Sequence, residues 1–306
     1  MSAVIETQRL RKYYGSRRGL ESLNLEVRQG EVYGYLGPNG AGKSTTIRIL
    51  VDLIRPTSGS ASVLGVEPRA GGASLRKRLG YLPGDFVVDG GQTAHELLTH
   101  LGYLRGRVPS ARITELAERL NLDLDIRIRS LSKGNRQKVG LIQAFMHEPE
   151  LLILDEATSG LDPLLQQTFL AMIREAKASG QTVLMSSHVL SEVQHSADRI
   201  GIIRDGALVA VEAVETLRER AVRRVEIRFD PPVPPPEVFI GLEGIGDVSL
   251  DGPILHCRMA GHADALIKAA ARYAVESIVV EEPDLEELFL TYYQRQPDGG
   301  ADQSAA

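Results

Sequence analysis

A glycine-rich segment ends in a lysine and a serine and reads Gly37-Pro38-Asn39-Gly40-Ala41-Gly42-Lys43-Ser44. The glycines let the chain turn back, so that consecutive backbone N–H groups can surround phosphate oxygens. Lys43 adds a positive charge for the β- and γ-phosphates, and the Ser44 hydroxyl suits Mg²⁺. The alternative is a chance glycine-rich turn. An apolar strand before the segment and a helical pattern after it, with Thr45 in its first turn, favour a nucleotide-binding P-loop.

Two adjacent carboxylates follow another apolar strand pattern. The run from Leu151 to Leu154 is typical of a parallel strand covered on both faces, and Asp155 and Glu156 come directly after it. Ligands of such sheets bind at the carboxyl ends of the strands, so these carboxylates are expected beside the P-loop. Asp155 would hold Mg²⁺ through water, and Glu156 would orient or deprotonate the water that attacks the γ-phosphate.

A third motif reads Leu131-Ser132-Lys133-Gly134-Asn135-Arg136-Gln137. Taken alone, Ser132 predicts a helix N-cap before an apolar stripe. Gly134 costs helix stability in the first turn, which makes sense if a phosphate must approach this helix terminus. The motif resembles the signature sequence of ATP-binding cassette (ABC) proteins. Lys133 stands where the usual motif has glycine, a departure that resembles the form found in bacterial drug-exporter ATPases.

The resemblance covers residues 4 to 217 and implies further roles. Tyr14 corresponds to the aromatic residue that stacks on adenine, with Tyr13 beside it as the alternative. His188 resembles the switch histidine that contacts the γ-phosphate, although a lone histidine after a strand is more often structural. Ser132, Gly134 and Asn135 would bind the nucleotide of the opposite subunit. The loop that contacts that subunit is similar to Ser159-Gly160-Leu161-Asp162.

One position departs from the family pattern. Where the family usually has a glutamine that ligates Mg²⁺, this chain has Gly84 and Asp85. A glycine has no side chain to ligate a metal, so either Asp85 or a water molecule is left for the role. The expected metal ligands are therefore Ser44, Asp155 and Asp85.

These motifs imply an α/β fold, a P-loop NTPase core with an antiparallel β layer and an α-helical subdomain. The antiparallel layer is predicted within the first 30 residues, and the helical subdomain spans about 85–147. Predicted helices within it cover Thr93 to Leu104 and Ser110 to Leu120, and a third begins at Ser132. Asp162 is a predicted N-cap with Pro163 at the first helical position.

A small C-terminal α+β domain is predicted to follow the cassette. The expected divisions are 1–220 for the ATP-binding domain, 221–295 for the second domain and 296–306 for a disordered tail. Proline-rich residues 231–236 mark the new domain. Its predicted elements are strands at Val225–Phe229, Asp247–Leu250, Ile254–Met259 and Ser277–Val280, and helices at Ala263–Tyr273 and Leu285–Tyr293.

Composition limits the possible partners. The 306 residues carry a net charge of −5 with no block of basic residues, which argues against nucleic-acid binding. No apolar run is long enough to span a membrane, and the N-terminus lacks a signal-peptide pattern. The lone Cys257 excludes an intramolecular disulfide and is expected in the core. We therefore expect a protein at the cytoplasmic face of the membrane, held there by a separate permease.

The resemblance implies an ATP-hydrolysing exporter subunit with ATP and Mg²⁺ as cofactors. One P-loop and one signature per chain imply a homodimer, or a pair with a second ATPase subunit, that shares two ATP sites. The segment Asp284–Leu290 resembles the tail of multidrug or antibiotic exporter cassettes, so a drug, antibiotic or lipid-like compound is expected. The main alternative is a non-transport ABC ATPase that acts on DNA or ribosomes. A nucleotide-gated binding module without turnover is disfavoured by Asp155, Glu156 and His188.

Overall fold

The computed structural model describes residues 2–88, 90–220 and 222–281. The chain divides into two units, Met1–Glu212 and Ala213–Ala306, a few residues before the division predicted from the sequence. The predicted helix Leu285–Tyr293 and the predicted disordered tail lie outside the described residues.

The first unit contains two sheets and seven α-helices within its described residues. Its strands are β1 (Ala3–Tyr14), β2 (Arg17–Leu23), β3 (Glu26–Arg28), β4 (Val32–Leu36), β5 (Ser58–Val63), β6 (Leu79–Leu82), β7 (Leu151–Asp155), β8 (Thr182–Ser187), β9 (Arg199–Arg204) and β10 (Ala207–Ala213). Its helices are α1 (Lys43–Leu50), α2 (Pro68–Lys77), α3 (Ala94–Leu104), α4 (Ser110–Arg119), α5 (Lys133–Phe145), α6 (Pro163–Ala178) and α7 (Leu190–Gln194).

The central sheet has six strands in the order β10-β9-β4-β8-β7-β6. The pairs β4–β8, β4–β9, β7–β8 and β6–β7 are all parallel. Every residue of β4, β7 and β8 is buried, as expected for apolar strands covered on both faces. This order brings the carboxyl ends of β4, β7 and β8 together, and the loops that follow these strands carry the predicted site residues.

An antiparallel sheet forms the predicted β layer. Its order is β2-β1-β3, and β5 also pairs with β1. The alternating apolar residues of these strands point into the same core as the inner side chains of α1 and β4. That core includes Ile5, Leu23, Val27, Tyr35 and Ile47.

The helices α3, α4 and α5 form the predicted helical subdomain. Helix α3 begins with a capping box, in which Thr93 Oγ1 accepts from the Glu96 N–H and Glu96 accepts from the Thr93 N–H. Helix α5 packs directly on β6 at the edge of the central sheet. Strand β6 was not identified from the sequence, because four residues with a central glycine give only a weak strand signal.

The second unit contains α8 (Val214–Arg220), β11 (Arg223–Phe229), β12 (Ile245–Asp251), β13 (Ile254–Met259), α9 (Asp264–Ala270) and β14 (Val275–Val280). Its sheet has the order β12-β13-β11-β14, and its neighbouring strands are antiparallel. Phe229, Phe239, Leu255 and Cys257 belong to its core. Cys257 is therefore the core residue that the sequence predicted, and burial raises the pKa of its thiol.

Candidate functional site

The P-loop connects β4 to α1 at the carboxyl end of the central sheet. Gly42 has φ 115° and precedes the first residue of α1, a backbone geometry that side chains disfavour. A Cβ at this position would also lie 2.9 Å from the Gly19 carbonyl oxygen. Gly42 is therefore required for the sharp entry into α1. Ser44 and Thr45 follow in the first turn of α1, and both are partly buried.

Lys43 is fixed by contacts within the loop. Its Nζ donates to the Gly37 carbonyl oxygen at 2.6 Å and to the Pro38 carbonyl oxygen at 3.3 Å. The same atom lies 3.2 Å from Oε1 of Glu156, with only 5% of the lysine side chain exposed. The ammonium group therefore lies inside the loop, next to the carboxylate of the residue that follows β7.

Asp155 is the last residue of β7 and is buried. Its Oδ1 accepts a hydrogen bond from Ser186 Oγ at 2.6 Å. No sequence motif indicated a role for Ser186, and its position near the end of β8 was the only available signal. A buried carboxylate of this kind is normally paired or coordinates a metal, so Asp155 fits a bound cation.

Glu156 has two partners on opposite sides of its carboxylate. Oε1 faces Lys43, and Oε2 accepts from His188 Nδ1 at 2.7 Å. Its backbone has φ 49°, which is uncommon for a residue with a side chain. The structure therefore brings together Lys43, Glu156 and His188, which come from three separate parts of the chain.

Tyr14 lies at the edge of this region. A Cβ on Gly19 would lie 3.0 Å from Tyr14 Cε2 and 3.4 Å from Thr45 Cγ2, so the ring lies near the first turn of α1. Lys12 Nζ is 5.1 Å from the centre of the ring, a cation–π contact. The rest of the ring is exposed, and Tyr13 is exposed beside it.

The signature motif forms the beginning of α5. Ser132 is the N-cap predicted from the sequence, and its Oγ accepts from the Asn135 N–H at 3.2 Å. The structure gives a reason for the glycine at position 134 that was not visible in the sequence. A Cβ at Gly134 would lie 2.8 Å from the carbonyl oxygen of Gly160, so the first turn of α5 and the loop after β7 approach closely within one chain. The glycine is thus explained without a phosphate, which removes it as independent support for a shared nucleotide site.

Gly84 lies beside Asp155, one of the expected metal ligands. A Cβ on Gly84 would lie 3.6 Å from Oδ2 of Asp155. The exposed side chain of Asp85 lines a cavity of about 350 Å³ together with Lys133 and Arg136 of α5. The assignment of Asp85 as a metal ligand stays a prediction.

Sequence comparisons match this chain to ATP-binding proteins of ABC transporters. A family model described as ABC transporter matches residues 20–159. The bacitracin transport ATP-binding protein BcrA of Bacillus licheniformis is 37% identical over 235 residues, which cover 75% of this chain and 76% of the relative. The daunorubicin resistance ATP-binding protein DrrA3 of Streptomyces coeruleorubidus is 32% identical over 292 residues, covering 91% and 92% of the two chains.

Solved structures support the same fold. The ATP-binding subunit of an ABC transporter has a TM-score of 0.65 and 31% identity, and it covers 70% of this chain and 92% of its own. A dimeric ATP-binding cassette in a post-hydrolysis state with ADP and Pi has a TM-score of 0.62 at 23% identity, covering 69% of this chain and 98% of its own.

None of the helices in the described residues combines the length and the apolar character that a membrane span needs. The predicted fold class, a P-loop NTPase core, is confirmed, and so is the ATPase class of the enzyme. Through its sequence relatives and its fold, the chain belongs to the ABC transporter family as an ATP-binding protein that hydrolyses ATP.

Proposed function

We propose that this protein powers the export of a drug, antibiotic or lipid-like compound through a separate permease at the cytoplasmic face of the membrane. The observation that carries the catalytic part is the placement of the Glu156 carboxylate between Lys43 and His188. The exported compound class rests on the relatives, whose names refer to bacitracin and daunorubicin. Those names favour a transporter over the DNA- or ribosome-acting alternative.

The site residues divide the chemistry among them. The P-loop N–H groups and Lys43 bind the β- and γ-phosphates, and Tyr14 offers a ring on which adenine can stack. Glu156 accepts a proton from the water whose oxygen attacks the γ-phosphorus. The bond from that phosphorus to the bridging oxygen of ADP then breaks, which gives ADP and phosphate. His188 keeps Glu156 oriented through Nδ1, and Nε2 is the ring atom left to contact the γ-phosphate.

Mg²⁺ fits the same edge of the sheet. Ser44 and Asp155 would hold it, with Asp85 as a further candidate ligand. The metal would supply positive charge that neutralises the phosphate oxygens. Ser186 Oγ donates to Oδ1 of Asp155, so Oδ2 of Asp155 is the oxygen that would bind the metal or a bridging water.

A dimer would complete each nucleotide site. In the proposed arrangement Ser132, Gly134 and Asn135 of one subunit face the P-loop of the other, and the partner is a second copy or a second ATPase subunit. Dimeric structures among the neighbours support this arrangement at the level of the fold.

The proposed permease contact lies between residues 81 and 106. Three large apolar side chains are exposed there, Val87 at 77%, Tyr103 at 66% and Leu104 at 53%. Leu53 is an exposed apolar residue outside this stretch and serves as a matched control. We propose that the permease covers these three side chains.

The test is co-purification with a membrane protein encoded beside this chain, followed by ATP-driven drug uptake into inverted vesicles. Tyr103→Asp should abolish both association and transport, while Leu53→Asp should preserve them. Glu156→Gln should preserve association and abolish transport. Stable co-purification with ribosomes or DNA, with no membrane partner, would favour the alternative.

A further inference from the structure

A buried glutamine connects the signature helix to the loop that carries Glu156. Gln137 lies in the second turn of α5, and its side chain is 4% exposed. Its Nε2 donates to the carbonyl oxygen of Ala157 at 3.2 Å. Ala157 directly follows Glu156, so α5 holds the backbone immediately after the proposed catalytic carboxylate.

The backbone before this point is held from the opposite direction. The Glu156 N–H donates to both the carbonyl oxygen and the Oγ of Ser186, each at 3.2 Å. Glu156 itself has a left-handed φ of 49°. A residue in this conformation needs fixed neighbours to keep it there. Ser186 on β8 fixes one side of it, and Gln137 on α5 fixes the other.

A second contact joins the same two segments. The Gly160 carbonyl oxygen lies so close to Gly134 that a Cβ there would be 2.8 Å away. Helix α5 therefore touches the loop after β7 near its beginning, at Ala157, and further along, at Gly160. A displacement of α5 would move both points, because packed segments shift as units.

We propose that Gln137 is a positioning residue, which ties the orientation of Glu156 to the position of α5. The proposal rests on the proposed function, in which Glu156 orients the attacking water. It also goes further, because α5 begins with the residues that would face the nucleotide of the other subunit. Gln137 then transmits the position of the signature helix in one ATP site to the carboxylate of the other.

The chain contains a matched control on the same helix. Gln143 of α5 is 8% exposed, and its Nε2 donates to the carbonyl oxygen of Tyr81 on β6. Both glutamines therefore give a buried amide donor to a backbone carbonyl, but only Gln137 reaches the Glu156 loop. Met has nearly the same length and lacks the donor. Gln137→Met and Gln143→Met thus remove equivalent bonds at two different places.

The experiment compares these variants in the full-length protein. Thermal unfolding, ATP dissociation constants and single-turnover hydrolysis, with the protein in saturating excess over ATP, are measured for both. We expect the two variants to lose similar amounts of Tm. Their ATP dissociation constants should stay within about twofold of the wild-type value, because neither glutamine belongs to the phosphate loop. Gln137→Met should hydrolyse bound ATP about tenfold more slowly or worse, and Gln143→Met should stay near the wild-type rate. Equal rates for the two variants would overturn the positioning role.

Two further variants separate the possible failures. Glu156→Gln is measured in parallel, and wild-type turnover in it would refute the proposed function itself. The double variant Glu156→Gln/Gln137→Met should be no slower than Glu156→Gln alone, since Gln137 acts through that carboxylate. A further loss would show that Gln137 acts independently of Glu156. If Gln137→Met does not fold, the shorter amides of Gln137→Asn and Gln143→Asn withdraw the donor from each carbonyl without burying a charge.

Discussion

Nζ of Lys43 and Oε1 of Glu156 lie 3.2 Å apart and form an ion pair whose side chains are 5% and 19% exposed. The lysine that should bind phosphate is thus neutralised by the carboxylate that should orient water. Removing one member of such a pair leaves the charge of the other without compensation. The two proposed roles can therefore be tested by one substitution that removes only the negative charge.

Glu156→Gln should lower ATP turnover by about a hundredfold or more, because the amide cannot accept the proton of the attacking water. ATP binding should be equal to or tighter than that of the wild type, since Lys43 loses its internal counter-ion. Steady-state hydrolysis and equilibrium nucleotide binding measure the two effects. Glu175→Gln is the control, because Glu175 pairs with Arg119 at the surface. Near wild-type turnover in Glu156→Gln would exclude Glu156 as the catalytic carboxylate.

Mixed dimers test whether two chains share each ATP site. Lys43→Ala and Ser132→Arg chains, each inactive alone, should regain activity when combined, because one intact site forms in each mixed dimer. ATP hydrolysis by purified heterodimers is the measurement. Inactive heterodimers of proven composition would contradict shared sites.

The choice of Ser132 for this experiment follows from the structure. Gly134 contacts Gly160 within its own chain, so a substitution there would disturb the fold as well as the interface. Ser132 is exposed, and losing its helix cap costs about 1 kcal/mol. Ser132→Ala measures that cost without adding a large side chain.

Asp85→Ala tests the proposed metal ligand. If Asp85 contributes an oxygen to Mg²⁺, the variant should need more Mg²⁺ for half-maximal hydrolysis, and permease-stimulated activity should fall more than basal activity. A Mg²⁺ titration of the ATPase rate, with and without permease, gives both values. Asp251→Ala removes an exposed aspartate from the second unit and serves as the control. An unchanged Mg²⁺ requirement would exclude Asp85 as a metal ligand. A water molecule beside Gly84 and Asp155 would then take that ligand position.

The partly buried His147 should make the folding stability depend on pH. Burial, together with the positive charge of the nearby Arg105, lowers its pKa to about 4, although Nε2 lies 3.0 Å from the Leu79 carbonyl oxygen. The unfolded chain, with an ordinary histidine pKa of about 6.5, binds more protons in this window, so folding stability falls as pH drops from about 6.5 to about 4.

The loss assigned to His147 has an upper limit of about 3.5 kcal/mol, since its pKa falls from about 6.5 to about 4 and one pKa unit corresponds to about 1.4 kcal/mol. Urea unfolding at several pH values should show a steeper decline for the wild type than for His147→Gln. Identical pH profiles for the two proteins would contradict the buried, neutral histidine. His195→Gln is a suitable control, because His195 is exposed on another helix terminus.

Several local elements could be predicted because their signals are local. Asp162 caps α6 by accepting from the Leu165 N–H, and Pro163 stands at its first position, as the sequence indicated. Strand β8 covers the predicted Thr182–Ser187. Capping and apolar runs depend on residues a few positions apart, so one sequence is enough to find them.

The roles of Gly134 and Gln137 could not be predicted in the same way. From the sequence alone, Gly134 was explained by a phosphate that approaches the helix terminus. In the structure, the Gly160 carbonyl oxygen lies against this glycine. From the sequence, Gln137 was only the last residue of the signature-like motif. Its burial and its bond to Ala157 depend on how α5 packs, which no local pattern encodes.

One sequence is enough to identify the chemical groups of this protein: a phosphate loop, two carboxylates after an apolar strand and a histidine after another. The position of Glu156 between Lys43 and His188 follows from the folded arrangement of the strands. The strand order is β4-β8-β7, which does not follow the order along the chain. Parallel pairing of these strands depends on long-range backbone hydrogen bonds and a shared apolar core, and it brings the three loops together at one edge of the sheet.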